Sequence, residues 1–257
     1  MQIIDSHCHL YLPEFQNDFD QVISRAKEVG VQKFFLPNID SSTTQQMLKL
    51  VEDYPEVCFP MMGLHPTSVK EDFKEELEKV ENELKKGKYV AVGEIGIDLY
   101  WDKTFLNEQI EALKTQIKWA KEYKLPVVIH ARDSFQEIFE VIDQLNDGSL
   151  KGIFHCFTGS IDDAKKIMDY KGFKMGIGGV VTFKNGGIDK FLNEIPLSNF
   201  VLETDSPYLA PVPYRGKRNE SAYLVEIISK MSDIYSVSKE EIAETTSRSS
   251  LEIFNVK

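Results

Sequence analysis

The side chains best suited to chemistry in this 257-residue chain are its five histidines, His7, His9, His65, His130 and His155. Each stands at or just past the C-terminal end of a short apolar run rich in β-branched or aromatic residues. His7-Cys-His9 places two imidazoles at i and i+2, so an extended segment presents both on one face, where they can reach one ion. Alone, His-x-His is a weak signal; three further histidines in equivalent positions make metal ligation the stronger reading. Two carboxylates complete the set. Glu94, in Val92-Gly-Glu94-Ile-Gly-Ile-Asp98, ends an apolar run where an unpaired anion is expensive to bury. Asp205, in Val201-Leu-Glu-Thr-Asp205-Ser-Pro207, ends the last such run, with Glu203 on the same face; its ordinary alternative is a turn cap before Pro207. Four neutral imidazoles and two carboxylates exceed the needs of one tetrahedral zinc. They suit two divalent ions sharing a carboxylate and a hydroxide, with a nearby Asp or Glu accepting protons.

Other residues on this edge suit an anionic substrate. Arg132, two residues after His130, shares its face and offers a guanidinium, although pairing with a nearby acid is an equal reading. His65 lies in Gly63-Leu-His65-Pro66, where proline fixes the loop and suggests a substrate contact. Tyr100, Trp101 and Tyr208 are candidates for stacking on an unpaired base or for loop packing. Arg215, Lys217 and Arg218 form a dense basic cluster near the same edge, to be read as a positive mouth or as a solvated loop. Cys8 and Cys156 each adjoin a histidine, and alternation turns them away from it; with Cys58 they read as buried thiols.

These residues need a scaffold that collects strand ends. Extended runs are expected at 2–6, 32–37, 57–63, 89–94, 126–130, 151–155, 173–178 and 199–204, with helices between them, among others at 19–29, 72–86, 107–123 and 133–145. Ser41-Ser-Thr-Thr44 and Ser160-Ile-Asp-Asp163 have the chemistry of helix N-caps, and Gly30, Gly87 and Gly172 that of helix stops. Eight strand-helix units over about 250 residues give the arithmetic of a (β/α)8 TIM barrel, whose active sites form at the C-terminal strand ends. A doubly wound open sheet is the rival, since strand order is not written in sequence. No linker or internal boundary interrupts the pattern, so residues 1–257 are expected to form one domain.

Composition narrows the function. The formal charge of −11 repels nucleic acid at long range and argues against a DNA-coating protein, though not against an enzyme that grips one or two phosphates in a cationic pocket. Neither GxGxxG nor GxxxxGK[ST] occurs. No run approaches a membrane span, and Met1-Gln-Ile-Ile-Asp5 has no signal-like core, so a cytoplasmic protein is expected.

The motifs Asp5-Ser-His7-Cys-His9, Gly63-Leu-His65-Pro66, Gly93-Glu94-Ile-Gly-Ile-Asp98, Ile129-His130-Ala-Arg132, Phe154-His155-Cys-Phe-Thr-Gly159 and Glu203-Thr-Asp205-Ser-Pro-Tyr208-Leu resemble, in order and spacing, those of the TatD-type metal-dependent deoxyribonucleases, barrels of the amidohydrolase-like kind. The resemblance implies that His7, His9 and Asp205 hold one ion, that His130 and His155 hold the other, and that Glu94 is shared. It implies that His65 meets a substrate phosphate, that Pro213-Tyr-Arg215-Gly-Lys-Arg218 is the basic loop after the last strand, and that Mg, Mn or Zn is the metal. Ser221 stands where proline commonly follows Asn-Glu in the family. The expected activity is phosphodiester hydrolysis in DNA from exposed or single-stranded 3′ ends, with Asp205 and Glu94 as catalytic residues. An amidase, lactonase or deacylase is the alternative; many amidohydrolases carry a lysine where this chain has Glu94. The resemblance is compatible with a monomer and fixes no oligomeric state.

Overall fold

Eight parallel strands in the order β1 to β8 form the centre of the protein, seen in a computed structural model that describes residues 2–256. They are β1 (Ile3–Asp5), β2 (Val31–Pro37), β3 (Cys58–Met62), β4 (Ala91–Asp98), β5 (Val127–Arg132), β6 (Gly152–Phe154), β7 (Phe173–Ile177) and β8 (Phe200–Leu202). All eight fall on the expected runs, and the sequential order excludes the doubly wound sheet. The (β/α)8 barrel closes just past the ends of β1 and β8. There Ser6 N donates to Leu202 O, Asp205 N to His7 O and His9 N to Ser206 O, at 2.8–3.0 Å.

Both faces of these strands are covered, as parallel sheets require. The side chains of Ile4, Phe35, Met61, Val128 and Ile153, among others, fill the barrel interior. The other strand face packs on α1 (Phe19–Glu28), α2 (Thr44–Asp53), α3 (Phe73–Leu84), α4 (Leu106–Tyr123), α5 (Phe135–Leu145) and α6 (Ile161–Asp169). Ser160 makes the expected capping box with Asp163 at the start of α6. At its end the left-handed residue is Lys171, not Gly172. Among the described residues no helix is long and apolar enough to cross a membrane.

Two departures from the expected alternation matter. Between β7 and β8 the chain makes only 3-10 turns, at Gly179–Thr182, Ile188–Lys190, Leu192–Glu194 and Leu197–Asn199, because Gly186-Gly187 and Pro196 interrupt any longer helix. The missing cover comes from α7 (Leu224–Tyr235) and α8 (Lys239–Phe254), which follow β8 and pack back against these turns, β8 and β1. The end of α8 also plugs the N-terminal floor of the barrel: Ile253 and Phe254 join the interior cluster, and the Phe254 ring stacks on Phe35 at 3.9 Å. Phe254→Ala should therefore cost about 3–5 kcal/mol, read as a lower midpoint in urea; an unchanged midpoint would show that the plug adds nothing.

Candidate metal centre

At the opposite, C-terminal mouth lies Glu94, 1% exposed. It does not end its strand as expected but sits inside β4, which runs on to Asp98. All five histidines converge on this one carboxylate, and its two oxygens divide them. Oε2 lies 3.1 Å from His7 Nε2 and 3.7 Å from His9 Nε2. Oε1 lies 2.8 Å from His130 Nδ1, 3.2 Å from His65 Nε2 and 3.3 Å from His155 Nε2. Asp205 Oδ1 joins the first group, 3.5 Å from His9 and 3.7 Å from His7, whose Nε2 atoms are 3.3 Å apart. Ligand bonds of about 2.0–2.2 Å place the corners of a tetrahedral shell about 3.3–3.6 Å apart. The spacing and chemistry of His7, His9, Glu94 and Asp205 thus fit a divalent cation, and Glu94 Oε1 with His65, His130 and His155 forms a second group of donors. His65, on its proline-fixed loop, stands as close to Glu94 as His155 does.

Outer partners fix the imidazoles. His9 Nδ1 meets the Tyr11 hydroxyl at 2.8 Å, and His65 Nδ1 meets Thr67 Oγ1 at 2.7 Å. His130 Nε2 meets Asp98 Oδ2 at 2.9 Å, and His155 Nδ1 meets Glu203 Oε1 at 3.1 Å. Such contacts set ring orientation and basicity. Glu203 also accepts from Cys156 N. It stands behind His155 and lines neither cavity at the mouth, so it is placed to orient an imidazole and not to relay protons from substrate. Asp5 accepts from Thr204 N, Thr204 Oγ1 and Ser221 Oγ and, at 3.4 Å, from His7 N, and ties β1 to the chain after β8. His7 Nδ1 is buried without a partner.

Backbone positioning is equally specific. Asp205 adopts a left-handed conformation at φ 54°, and the buried Asn219 holds the turn by donating to Thr204 O and Tyr208 O, both at 2.7 Å. Gly96, at φ 148°, passes so close to β5 that a Cβ would lie 2.0 Å from His130 O. Two buried glutamines on one face of α4 secure two site loops. Gln109 pairs with the backbone of Asp98, and Gln116 with that of Leu64.

Charge follows from this packing. Burial opposes ionisation of Glu94, yet His65, His155 and His7 hold its carboxyl well below the usual range. Burial likewise works against protonation of His155, but Glu94 and Glu203 lift it well above the ordinary imidazole value. His130 is raised too, Asp98 and Glu94 outweighing burial. His7 is lowered, by burial and by neighbouring His155.

Above the carboxylate opens a cavity of about 570 Å³ lined by His9, His65, Trp101, Arg132, Asp205 and Tyr208, among others. A second arm of about 260 Å³ shares His130, Arg132, His155 and Asp205 and reaches Cys156 and Thr158. Cys156 therefore does not turn away from the site as alternation predicted: at φ 45° it has left the strand, and burial pushes its thiol up to about 12. Arg132 reaches the cavity, and among the described residues no carboxylate lies within 4.0 Å of it. Its guanidinium instead lies over the Tyr100 ring at 3.9 Å. The basic cluster comes apart in space. Arg218 pairs with Asp18 at 2.7 Å, and Arg215 lies over Phe183 at 3.9 Å, away from both cavity arms. Held by these local partners, Arg215 and Arg218 line neither arm of the cavity.

A profile of the family described as TatD related DNase matches residues 4–255. The chain belongs to the TatD family. The Bacillus subtilis protein YabD, described as an uncharacterized metal-dependent hydrolase, is 33% identical over 255 residues, covering 99% of each chain. The crystal structure of YjjV, a TatD homologue from Escherichia coli, superposes with a TM-score of 0.93 at 29% identity over 99% of this chain and 98% of that one. A TatD-family hydrolase from Entamoeba histolytica gives 0.86 at 23% identity, covering 98% of each. As a TatD-family member this protein is a metal-dependent hydrolase, and among the described residues its histidine-glutamate groups could hold a metal ion.

Loading such a site should release protons. With His130 and His155 titrating above the ordinary imidazole value of about 6.5, a divalent ion must displace protons from them. Affinity should rise with pH from below neutrality until both raised values are passed, then level off. Calorimetric titrations of Mn²⁺ in buffers of different ionisation enthalpy read this directly; binding independent of pH across that window would contradict it.

Proposed function

We propose that this TatD-family enzyme hydrolyses phosphodiester bonds in DNA, acting on exposed or single-stranded 3′ ends at a site for two divalent ions. The observation that carries the reading is the division of imidazoles between the two oxygens of Glu94, at the mouth of a cavity holding a guanidinium with no acidic partner among the described residues. In this reading His7, His9 and Asp205 hold one ion, His130 and His155 the other, and Glu94 is common to both. Bound divalent ions would lower the pKa of water toward neutrality and polarise a phosphoryl oxygen.

The protein's own groups do the rest. Asp205 is kept ionised: burial opposes it, but His9, His155 and His7 hold its carboxyl below the usual range, leaving it ready to take a proton from the attacking water. Arg132 can accept the phosphate in bidentate fashion, and His65, 13% exposed at its side chain, can meet a phosphate oxygen. Glutamate at the position of a carbamylated lysine, and the family's description as DNases, favour phosphoryl over acyl transfer. Arg215, turned onto Phe183, has no place in this scheme.

The test begins with chelated protein reloaded separately with Mg²⁺, Mn²⁺ or Zn²⁺, assayed on 5′-labelled single- and double-stranded DNA, RNA, and a panel of esters, lactones and amides. Cleavage of DNA from the 3′ end only after reloading is expected. Glu94→Gln should lower it by more than about 100-fold, since even outer supports of metal ligands are worth 10–100-fold, the loss expected for Glu203→Gln. DNA cleavage that survives chelation, or turnover confined to amides or lactones, would overturn the reading.

A further inference from the structure

We propose that Tyr100, Trp101 and Arg132 form a stacking subsite for one unpaired nucleobase beside the metal centre. The choice of ligand rests on the phosphodiesterase reading above; the platform itself rests on its own geometry. Among the described residues the exposed large hydrophobic side chains are Tyr100 (55%), Trp101 (70%), Tyr208 (48%) and Val212 (47%). Trp101 and Tyr208 line the cavity over Glu94, and Tyr100 packs edge-on against Trp101, with ring centroids 4.9 Å apart. An indole left this exposed gains by covering its apolar face.

The loop that carries the two rings is mounted on the site. Asp98 Oδ1 accepts from Tyr100 N at 3.0 Å and from Trp101 N at 3.3 Å, while Oδ2 of the same carboxylate meets His130 Nε2 at 2.9 Å. One side chain thus sets both a candidate ligand and the height of the platform relative to it. Arg132 completes the layer: its guanidinium lies 3.9 Å from the Tyr100 centroid and 5.4 Å from that of Trp101. Stacking engages the guanidinium plane and leaves its N–H groups free for a phosphate, so base and phosphate of one nucleotide can be held together.

Charge favours this mode of recognition. A protein of net charge −11, with Arg215 and Arg218 engaged elsewhere, presents an unfavourable overall field to a phosphate backbone. Every nucleobase has a π-face, and stacking is independent of the overall field. A cavity of about 570 Å³ falls within the ~300–1,000 Å³ of small-ligand pockets, which suits a nucleotide unit splayed from its strand.

The protein's two tryptophans allow a direct readout. In a Trp119→Phe background Trp101 is the sole indole. Titrating the metal-loaded protein with deoxyadenosine 5′-monophosphate should quench its emission, whereas 2-deoxyribose 5-phosphate, with the same sugar and phosphate but no base, should not. By calorimetry, loss of the base should weaken binding by about 5- to 150-fold. Trp101→Ala should weaken nucleotide binding comparably without affecting the base-free sugar phosphate, and Trp101→Phe should restore it. Equal affinity for the two ligands, or Trp101→Ala binding the nucleotide like the parent, overturns the platform even in a protein that cleaves DNA. Base-dependent quenching in a protein that cleaves no DNA upholds the platform and removes the nuclease reading instead.

Discussion

Burying an anion at the mouth of a barrel is the constraint on which the rest of this molecule depends. A carboxylate moved out of water loses several kcal/mol of solvation even after relaxation, and Glu94 is almost completely covered. The protein supplies it with imidazoles, not with lysine or arginine. Imidazoles can stay neutral, so they offset the anion only in part and leave lone pairs free. Asp98, Glu203 and Asp205 add further negative charge around the same rings. The sum is a concave surface whose own residues leave a deficit of positive charge at its centre, the electrostatic definition of a cation site.

Meeting that constraint explains several features that look unrelated. Imidazoles can surround one point only if neighbouring strands end at the same level, which parallel strands in sequential order accomplish. The rings must also keep their angles when no cation is present, hence Tyr11, Thr67, Asp98 and Glu203 on their far nitrogens. Space for the supports has to be cleared as well. Gly176 illustrates this: any Cβ there would lie 2.1 Å from Glu203 Oε2, so the smallest side chain on β7 would displace the partner of His155.

The residues that converge on Glu94 could be read from the sequence because strand ends have a clear local signature, and residues at strand ends of a barrel meet whatever the loops do. Extended runs before His7, His130 and His155 were sufficient. Alternation failed where the chain leaves the strand: Asp5 shares nominal parity with His7 yet faces Thr204 and Ser221, and Cys156 turns toward the cavity at positive φ. Arg215 failed for a different reason, since a cluster in sequence need not be a cluster in space once each cation finds its own partner. Asp98 carried a signal that went unused, four residues after Glu94 and therefore on the same face of β4. Asn219 and the two glutamines of α4 had none, because their work is to satisfy backbone groups 11 to 52 residues away. The helix missing between β7 and β8 was signalled by Gly186-Gly187 and Pro196.

The seam where β8 meets β1 has a further consequence. It is joined by a handful of hydrogen bonds just past the strand ends, and His7 and His9 stand on one side of it with Asp205 on the other. Under the proposed assignment, an ion held by these three residues would act as a clasp between the beginning and the end of the barrel wall. Ligand-induced stabilisation amounts to about 2.7 kcal/mol when the ion is at a hundred times its dissociation constant. Resistance to unfolding and occupancy of the site would then rise and fall together, and a cell poor in the metal would hold a looser protein as well as an idle one.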